Sequence, residues 1–387
     1  VIDINILLVI ALILFTTKIL AIFTRRINMP QVVGALAAGI ILGPAVLGVV
    51  EPNEAISVIA EFGVIVLLFS AGMETDFRQL RTSFKSSALI AVLGVSLALG
   101  GGFGIALLFG MPTFESFFIG VVIASTSTSI TVEALNEMGK LKSKSGTSIM
   151  GAAIIDDILT IVILAVVLGM GAGNGGFSIA SVGITLLKIA LFFAFATLGG
   201  FAVKKLFDKM YAVMGQARRL SVFALAYCFL MAYLAELFGL ADITGAYLAG
   251  IALCNTRCVE YLETKIHELS YILLTPVFLA NIGIHASLDG MTGSVLLFTG
   301  LLVVMAVLSK VAGCGLGAKM CGYTNSESMQ IGIGLIARGE VSIIIASKGI
   351  SAGLLEPGRY SSVIIIVLVT VLITPLLLKR AYRQKPA

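Results

Sequence analysis

Tryptophan is absent from the 387 residues, and histidine occurs only at His267 and His285. Without Trp, an aromatic belt at a membrane boundary rests on Tyr alone, so aromatic position is a weak guide to topology. The two histidines are isolated near loop ends, and nothing else in the sequence makes either a proton sensor. Charge is scarce as well. Only 12% of residues are Asp, Glu, Lys or Arg, against about 25% in an ordinary soluble domain. No GxxxxGK[ST] segment occurs, so nothing implies ATP as an energy source. The five cysteines (Cys228, Cys254, Cys258, Cys314, Cys321) have no CxxC spacing and fall in or beside apolar runs. They read as small hydrophobes, with no disulfide and no metal centre. Cys254 and Cys258 share a helical face but lack further ligands. No cofactor is expected, and the net charge of +5 does not indicate nucleic acid.

What the chain has is apolar length. It is 58% hydrophobic, with 42 glycines and eight prolines, and its mean hydropathy is +1.08. This is the composition of an all-α polytopic membrane protein with closely packed or interrupted helices. Thirteen spans are expected, near 4–23, 30–50, 56–73, 87–110, 116–136, 145–170, 177–203, 220–238, 241–258, 265–285, 292–312, 326–349 and 358–378. The first is long enough to span and ends at Arg25 and Arg26, so it reads as a retained helix and not a signal peptide.

Basic residues test the count, because alternate loops should differ in Lys and Arg. Arg25 and Arg26, Arg78, Arg81 and Lys85, and Lys140, Lys142 and Lys144 fall on one side. So do Lys204, Lys205, Lys209, Arg218 and Arg219, then Arg257, Lys265 and Lys319, and finally Lys379, Arg380, Arg383 and Lys385. The opposite side holds only Lys348 and Arg359. The N-terminus is therefore expected outside and the C-terminus in the cytoplasm, across the inner membrane.

An internal repeat is visible. Gly34-Ala-Leu-Ala-Ala-Gly39-Ile-Ile-Leu in the second span matches Gly245-Ala-Tyr-Leu-Ala-Gly250-Ile-Ala-Leu in the ninth, 211 residues on. Ile119-Gly120 in the fifth span matches Ile331-Gly332 in the twelfth at an offset of 212. Seven spans separate the partners, and an odd number reverses the sense of crossing. The expectation is an inverted-topology repeat, in which transporters place a substrate site at discontinuous helices near the midplane. Each half has a candidate break: Ser125-Thr126-Ser127-Thr128-Ser129 in one, and Gly332-Ile-Gly334-Leu-Ile-Ala-Arg338-Gly339-Glu340 in the other. Hydroxyl side chains compete with the backbone for hydrogen bonds and satisfy carbonyls freed by unwinding. Arg338 and Glu340 have two readings, as neutralisers of the broken helix ends or as direct ion contacts.

Asp156 and Asp157 sit inside the apolar stretch GAAIIDDILTIVILAVVLGM. One intramembrane charge costs about 2.5–3.5 kcal/mol on insertion scales, so two in succession point to an ion or proton site. Neighbours on a helix diverge by about 100°, and the two carboxylates are expected to divide the labour. Lys310 in the eleventh span either bridges to one of them or extends to the cytoplasmic interface. Glu133 and Glu137, one turn apart, read as a solvated cytoplasmic helix end.

The Gly39-to-Pro44 segment, the hydroxyl-rich fifth span, the Asp156-Asp157 pair, Lys310 and Arg338-Gly339-Glu340 together resemble the bacterial sodium/proton antiporters of the monovalent cation:proton antiporter superfamily, in the electrogenic thirteen-helix branch. The double aspartate is the specific part, since electroneutral relatives usually carry Asn-Asp there. The resemblance implies a homodimer that exchanges Na⁺ or Li⁺ for H⁺ across the bilayer, with K⁺/H⁺ exchange as the alternative. It implies dimerisation helices over 1–86 and 220–291, core helices over 87–176 and 292–387, and a linking helix over 177–219. It also implies Asp157 as the carboxylate that takes Na⁺ and the proton, and Asp156 as the partner of Lys310. Thr126, Ser127, Thr128, Arg338 and Glu340 would assist at the helix crossing. An intramembrane aspartyl protease is disfavoured because adjacent acids on one helix diverge and no Gly-x-Gly-Asp segment supplies another. A channel is disfavoured because paired helix breaks suit alternating access.

Overall fold

The computed structural model describes residues 4–26, 29–75, 77–171, 179–214, 218–285, 293–351 and 353–383, and every regular element among them is helical. Helix α1 (Ile4–Arg26) ends on Arg25 and Arg26, cations that suit the negative end of a helix. Helix α2 (Gln31–Leu42) begins after Pro30, and α3 (Glu54–Glu74) is capped by Asn53, whose Oδ1 accepts from the Ala55 N–H at 2.8 Å. Then follow α4 (Phe77–Leu108), α5 (Thr113–Ala124), α6 (Thr128–Glu137), α7 (Lys144–Gly171), α8 (Ile179–Met214), α9 (Arg218–Leu237) and α10 (Asp242–Leu253). Helix α11 (Val259–Leu269) passes through a π turn at Ser270–Leu274 into α12 (Thr275–Ile284). The wide turn sits just before Pro276, whose missing N–H would otherwise interrupt the ladder. The remaining helices are α13 (Gly293–Met320), α14 (Asn325–Gly334), α15 (Glu340–Ser351) and α16 (Tyr360–Arg383).

Among the described residues, ten helical segments are long and apolar enough to cross a membrane. Expected spans 30–50, 241–258 and 326–349 are not among them: α2 and α10 have 12 residues each, a length of about 18 Å against a hydrocarbon core of about 30 Å, and the third is divided between α14 and α15. Gly43-Pro44 stops α2, and the chain folds back so that the N–H groups of Val49 and Val50 donate to the Leu42 carbonyl at 3.0 and 2.9 Å. Other helices outrun their apolar stretches. Helix α4 starts at Phe77, α8 continues to Met214 and α13 to Met320, because hydropathy marks the lipid boundary and not the end of helical hydrogen bonding.

Element boundaries recur at the repeat spacing. Helices α2 and α10 start at 31 and 242 and end at 42 and 253. Helices α4, α5 and α6 end or start at 108, 113 and 128, and α13, α14 and α15 do so at 320, 325 and 340. Close approaches recur too. A Cβ on Gly39 would strike the Ala280 carbonyl, and one on Gly250 the Phe69 carbonyl. Gly101 faces Met305 across α4 and α13, while Gly313 faces Leu93. Moving the first partner of each contact up by 211 or 212, and the second down by the same amount, gives the other contact of its pair.

Helix α4 packs on α5, α7 and α13, and α13 in turn meets α14 and α16, so these elements build most of the largest buried cluster. Helices α3, α8, α9 and α10 supply a second cluster, and α1, α2 and α12 a third.

Candidate ion-binding site

Both expected breaks are present. Helix α5 stops at Ala124 and α6 starts at Thr128; α14 stops at Gly334 and α15 starts at Glu340. The two interruptions touch. The Ser127 N–H donates to the Ala337 carbonyl at 2.7 Å, and Thr131 Oγ1 donates to the Gly334 carbonyl at 2.7 Å. Ser125 and Ser342 share a hydroxyl hydrogen bond of 2.7 Å. Gly339 lies so near Ser127 that a Cβ there would overlap its side chain.

Arg338 ties the crossing together. It is fully buried, and among the described residues its guanidinium donates to backbone carbonyls. Nε reaches Ile123 at 2.8 Å, Nη2 reaches Ala306 at 3.2 Å, and Nη1 reaches Leu335 at 3.3 Å and also Ile336. Ile123 lies in the last turn of α5 and Leu335 caps α14. The cation thus meets the negative ends of both broken helices. Of the two readings for this residue, neutralisation of the helix ends has the direct contacts. Glu340 opens α15, and its side chain lies outside the described residues.

Helix α7 packs against α5, α6 and α14 and brings the two acids to the crossing. Asp156 is 1% exposed and Asp157 6%. Lys310 Nζ donates to Asp156 Oδ1 at 2.5 Å, with the lysine fully buried. Extension of Lys310 to the interface is ruled out by its place: α13 continues to Met320, nearly three turns further. The close approach of α4 to α13 packs Gly94 against Cys314 and the Lys310 stem. Asp157, one residue on, is turned about 100° away from the Lys310 direction.

Among the described residues, four buried oxygens on α7 and at the α5–α6 break have no hydrogen-bond partner: Asp156 Oδ2 and Thr160 Oγ1 on α7, and Thr126 Oγ1 and Thr128 Oγ1 at the break. Ser127 differs, since its hydroxyl bonds Ser129 at 3.0 Å. Thr160 escapes sequence reasoning although the signal is there: it lies one turn beyond Asp156 on α7. Buried polar atoms are normally bonded, so unpartnered oxygens on the helix of the two carboxylates and at the break it packs against suit a hard cation, which prefers oxygen ligands.

Glu137 is also not merely a solvated helix end. Its carboxylate accepts from the Gln31 N–H at 2.8 and 2.7 Å and from the Val32 N–H at 3.4 Å. It caps α2 from another helix, where Pro30 offers no side chain to do so.

A sequence model of the transmembrane sodium/hydrogen exchangers matches residues 10–383. The Na⁺/H⁺-K⁺ antiporter GerN of Bacillus cereus is 38% identical over 376 residues, 97% of this chain and 96% of that protein. A Na⁺/H⁺ antiporter of Enterococcus hirae is 34% identical over 379 residues, covering 96% of each. Among solved structures, the sodium proton antiporter MjNhaP1 of Methanocaldococcus jannaschii superposes with a TM-score of 0.70 at 19% identity, covering 97% of both chains. That likeness establishes the fold. Matches of this extent in sequence place the chain in the sodium/hydrogen exchanger family, as a multi-pass membrane transporter and not an enzyme.

Proposed function

We propose that this chain exchanges Na⁺, or Li⁺, for H⁺ by alternating access, and that the exchange is electrogenic. The observation that carries the reading is the buried Asp156–Lys310 bond at 2.5 Å beside Asp157 and the unpartnered oxygens of Thr126, Thr128 and Thr160. Asp157 holds either a proton or, with those oxygens, the cation. A single carboxylate does not hold both fully, and this competition is sufficient for exchange. Asp156 holds Lys310 in a buried ion pair. When the cation draws Asp156 away, the lysine releases a second proton and the cycle moves net charge.

The ten long segments become the thirteen expected spans if α2 and α10 each cross together with the non-helical chain that follows them and α14 and α15 cross together as one. The exchanged glycine contacts support the inverted repeat. Helices α4–α7 and α13–α16 would then form the moving core, against a dimerising unit of α1–α3 and α9–α12, with α8 as the link. The cytoplasmic end of each protomer, in the inner membrane of a homodimer, would be the one rich in Lys and Arg.

The test is transport in proteoliposomes with an internal pH dye and added Na⁺, Li⁺ or K⁺. Na⁺-dependent proton movement is expected in the wild type, and none above protein-free vesicles in Asp157→Asn. Proton movement that survives Asp157→Asn unchanged removes that residue from the site. The K⁺ arm matters because GerN is named for K⁺ as well; K⁺ response without Na⁺ response would make K⁺/H⁺ exchange the function.

A further inference from the structure

The C-terminal end of α16 forms one wall of a cleft of about 280 Å³, lined by Leu376, Lys379, Arg380 and Arg383, with Pro30 opposite. On a helix, positions 376, 379, 380 and 383 fall on one face, so three cations converge on one space. None of the three is in an ion pair among the described residues. Next to Pro30, the start of α2 is capped by Glu137, whose carboxylate is already held by the N–H groups of Gln31 and Val32. The N-terminus of α2 therefore has its anion, while the cations across the cleft have none.

The order of the lining residues along α16 gives the ligand its shape. Leu376 lies toward the apolar body of the helix, Lys379 and Arg380 one turn beyond it, and Arg383 one turn beyond those. From Leu376 to Arg383 the axis rises by about 10 Å. An amphiphile aligned with the bilayer has this same sequence, acyl carbons first and phosphate last. We infer that the cleft is a binding site for the phosphodiester headgroup of an anionic phospholipid, seated between α16 and the start of α2. Arg and Lys recognise phosphate by charge-assisted hydrogen bonds, and basic pockets between membrane helices are suited to such headgroups. A free phosphate would use the cations but leave Leu376 and Pro30 without a partner. The inference concerns binding and does not depend on which ion is transported.

The experiment uses the full chain in nanodiscs and counts retained lipid by native mass spectrometry, with phosphatidylglycerol against phosphatidylcholine. Each neutralised cation should weaken phosphatidylglycerol binding roughly fivefold, and the three together on the order of a hundredfold. The variant is Lys379→Gln/Arg380→Gln/Arg383→Gln. A control, Lys204→Gln/Lys205→Gln/Lys209→Gln, removes as many charges from α8 and should leave retention near wild type. Excess inorganic phosphate should not displace the lipid. If the triple variant fails to fold, Arg380→Gln alone, at an exposed side chain, carries the single fivefold step. Equal retention in wild type and variant, equal loss in variant and control, equal retention of phosphatidylcholine, or displacement by inorganic phosphate would each overturn the assignment. The last outcome would make the cleft a site for soluble anions.

Discussion

At the scale of single residues, Asp156 is divided in its loyalties: Oδ1 is bound to Lys310, and Oδ2 has no hydrogen-bond partner. Removing one member of a buried pair costs about 3–5 kcal/mol, so Lys310→Met should lower the melting temperature sharply. Lys310→Met/Asp156→Asn should recover most of the loss, because no buried charge is then stranded. Under the proposed mechanism, exchange that survives Lys310→Met should be indifferent to an imposed membrane potential; persistent voltage dependence would remove Lys310 from the charge movement. Thr160→Val makes the opposite case. Its hydroxyl is buried and unpartnered, so exchanging it for a methyl should leave thermal stability equal or higher. The apparent KM for Na⁺ should nevertheless rise several-fold. An unchanged KM would show that Thr160 does not face the ion.

At the scale of elements, the two helix breaks were legible in the sequence for a local reason. A run of hydroxyls and a cluster of glycines each weaken helical hydrogen bonding within their own few residues. The role of Arg338 was not legible to the same degree, because its partners are carbonyls of Ile123, Ala306, Leu335 and Ile336. Backbone acceptors leave no mark of residue type. The shortness of α2 and α10 was hidden for another reason, since apolar chain reads alike in hydropathy whether it is helical or folded back. The fork of donors on Arg338 reaches three segments at once, which a lysine ammonium does not reproduce. Arg338→Lys should therefore destabilise the protein by about 2–4 kcal/mol, seen as earlier thermal unfolding in detergent. A melting temperature equal to wild type would show that the crossing does not depend on that cation.

At the scale of the whole molecule, the matched glycines of the sequence repeat were legible because a close backbone approach requires a glycine, as where Gly39 meets Ala280 and Gly250 meets Phe69. The joint between α6 and α2 was not, since a glutamate at a helix end carries no sign of which distant N–H it will meet. Glu137→Ala should speed hydrogen exchange at the Gln31 and Val32 amides relative to the rest of α2. Unchanged protection there would mean that another group caps the helix. Arg338 has a consequence at this scale too. The charge that holds the two broken helices together is a side chain and never departs with the cargo. Under the proposed exchange, the crossing therefore stays assembled once the cation has left, and the carrier makes its return trip with the proton without having to rebuild the place where the next cation will sit.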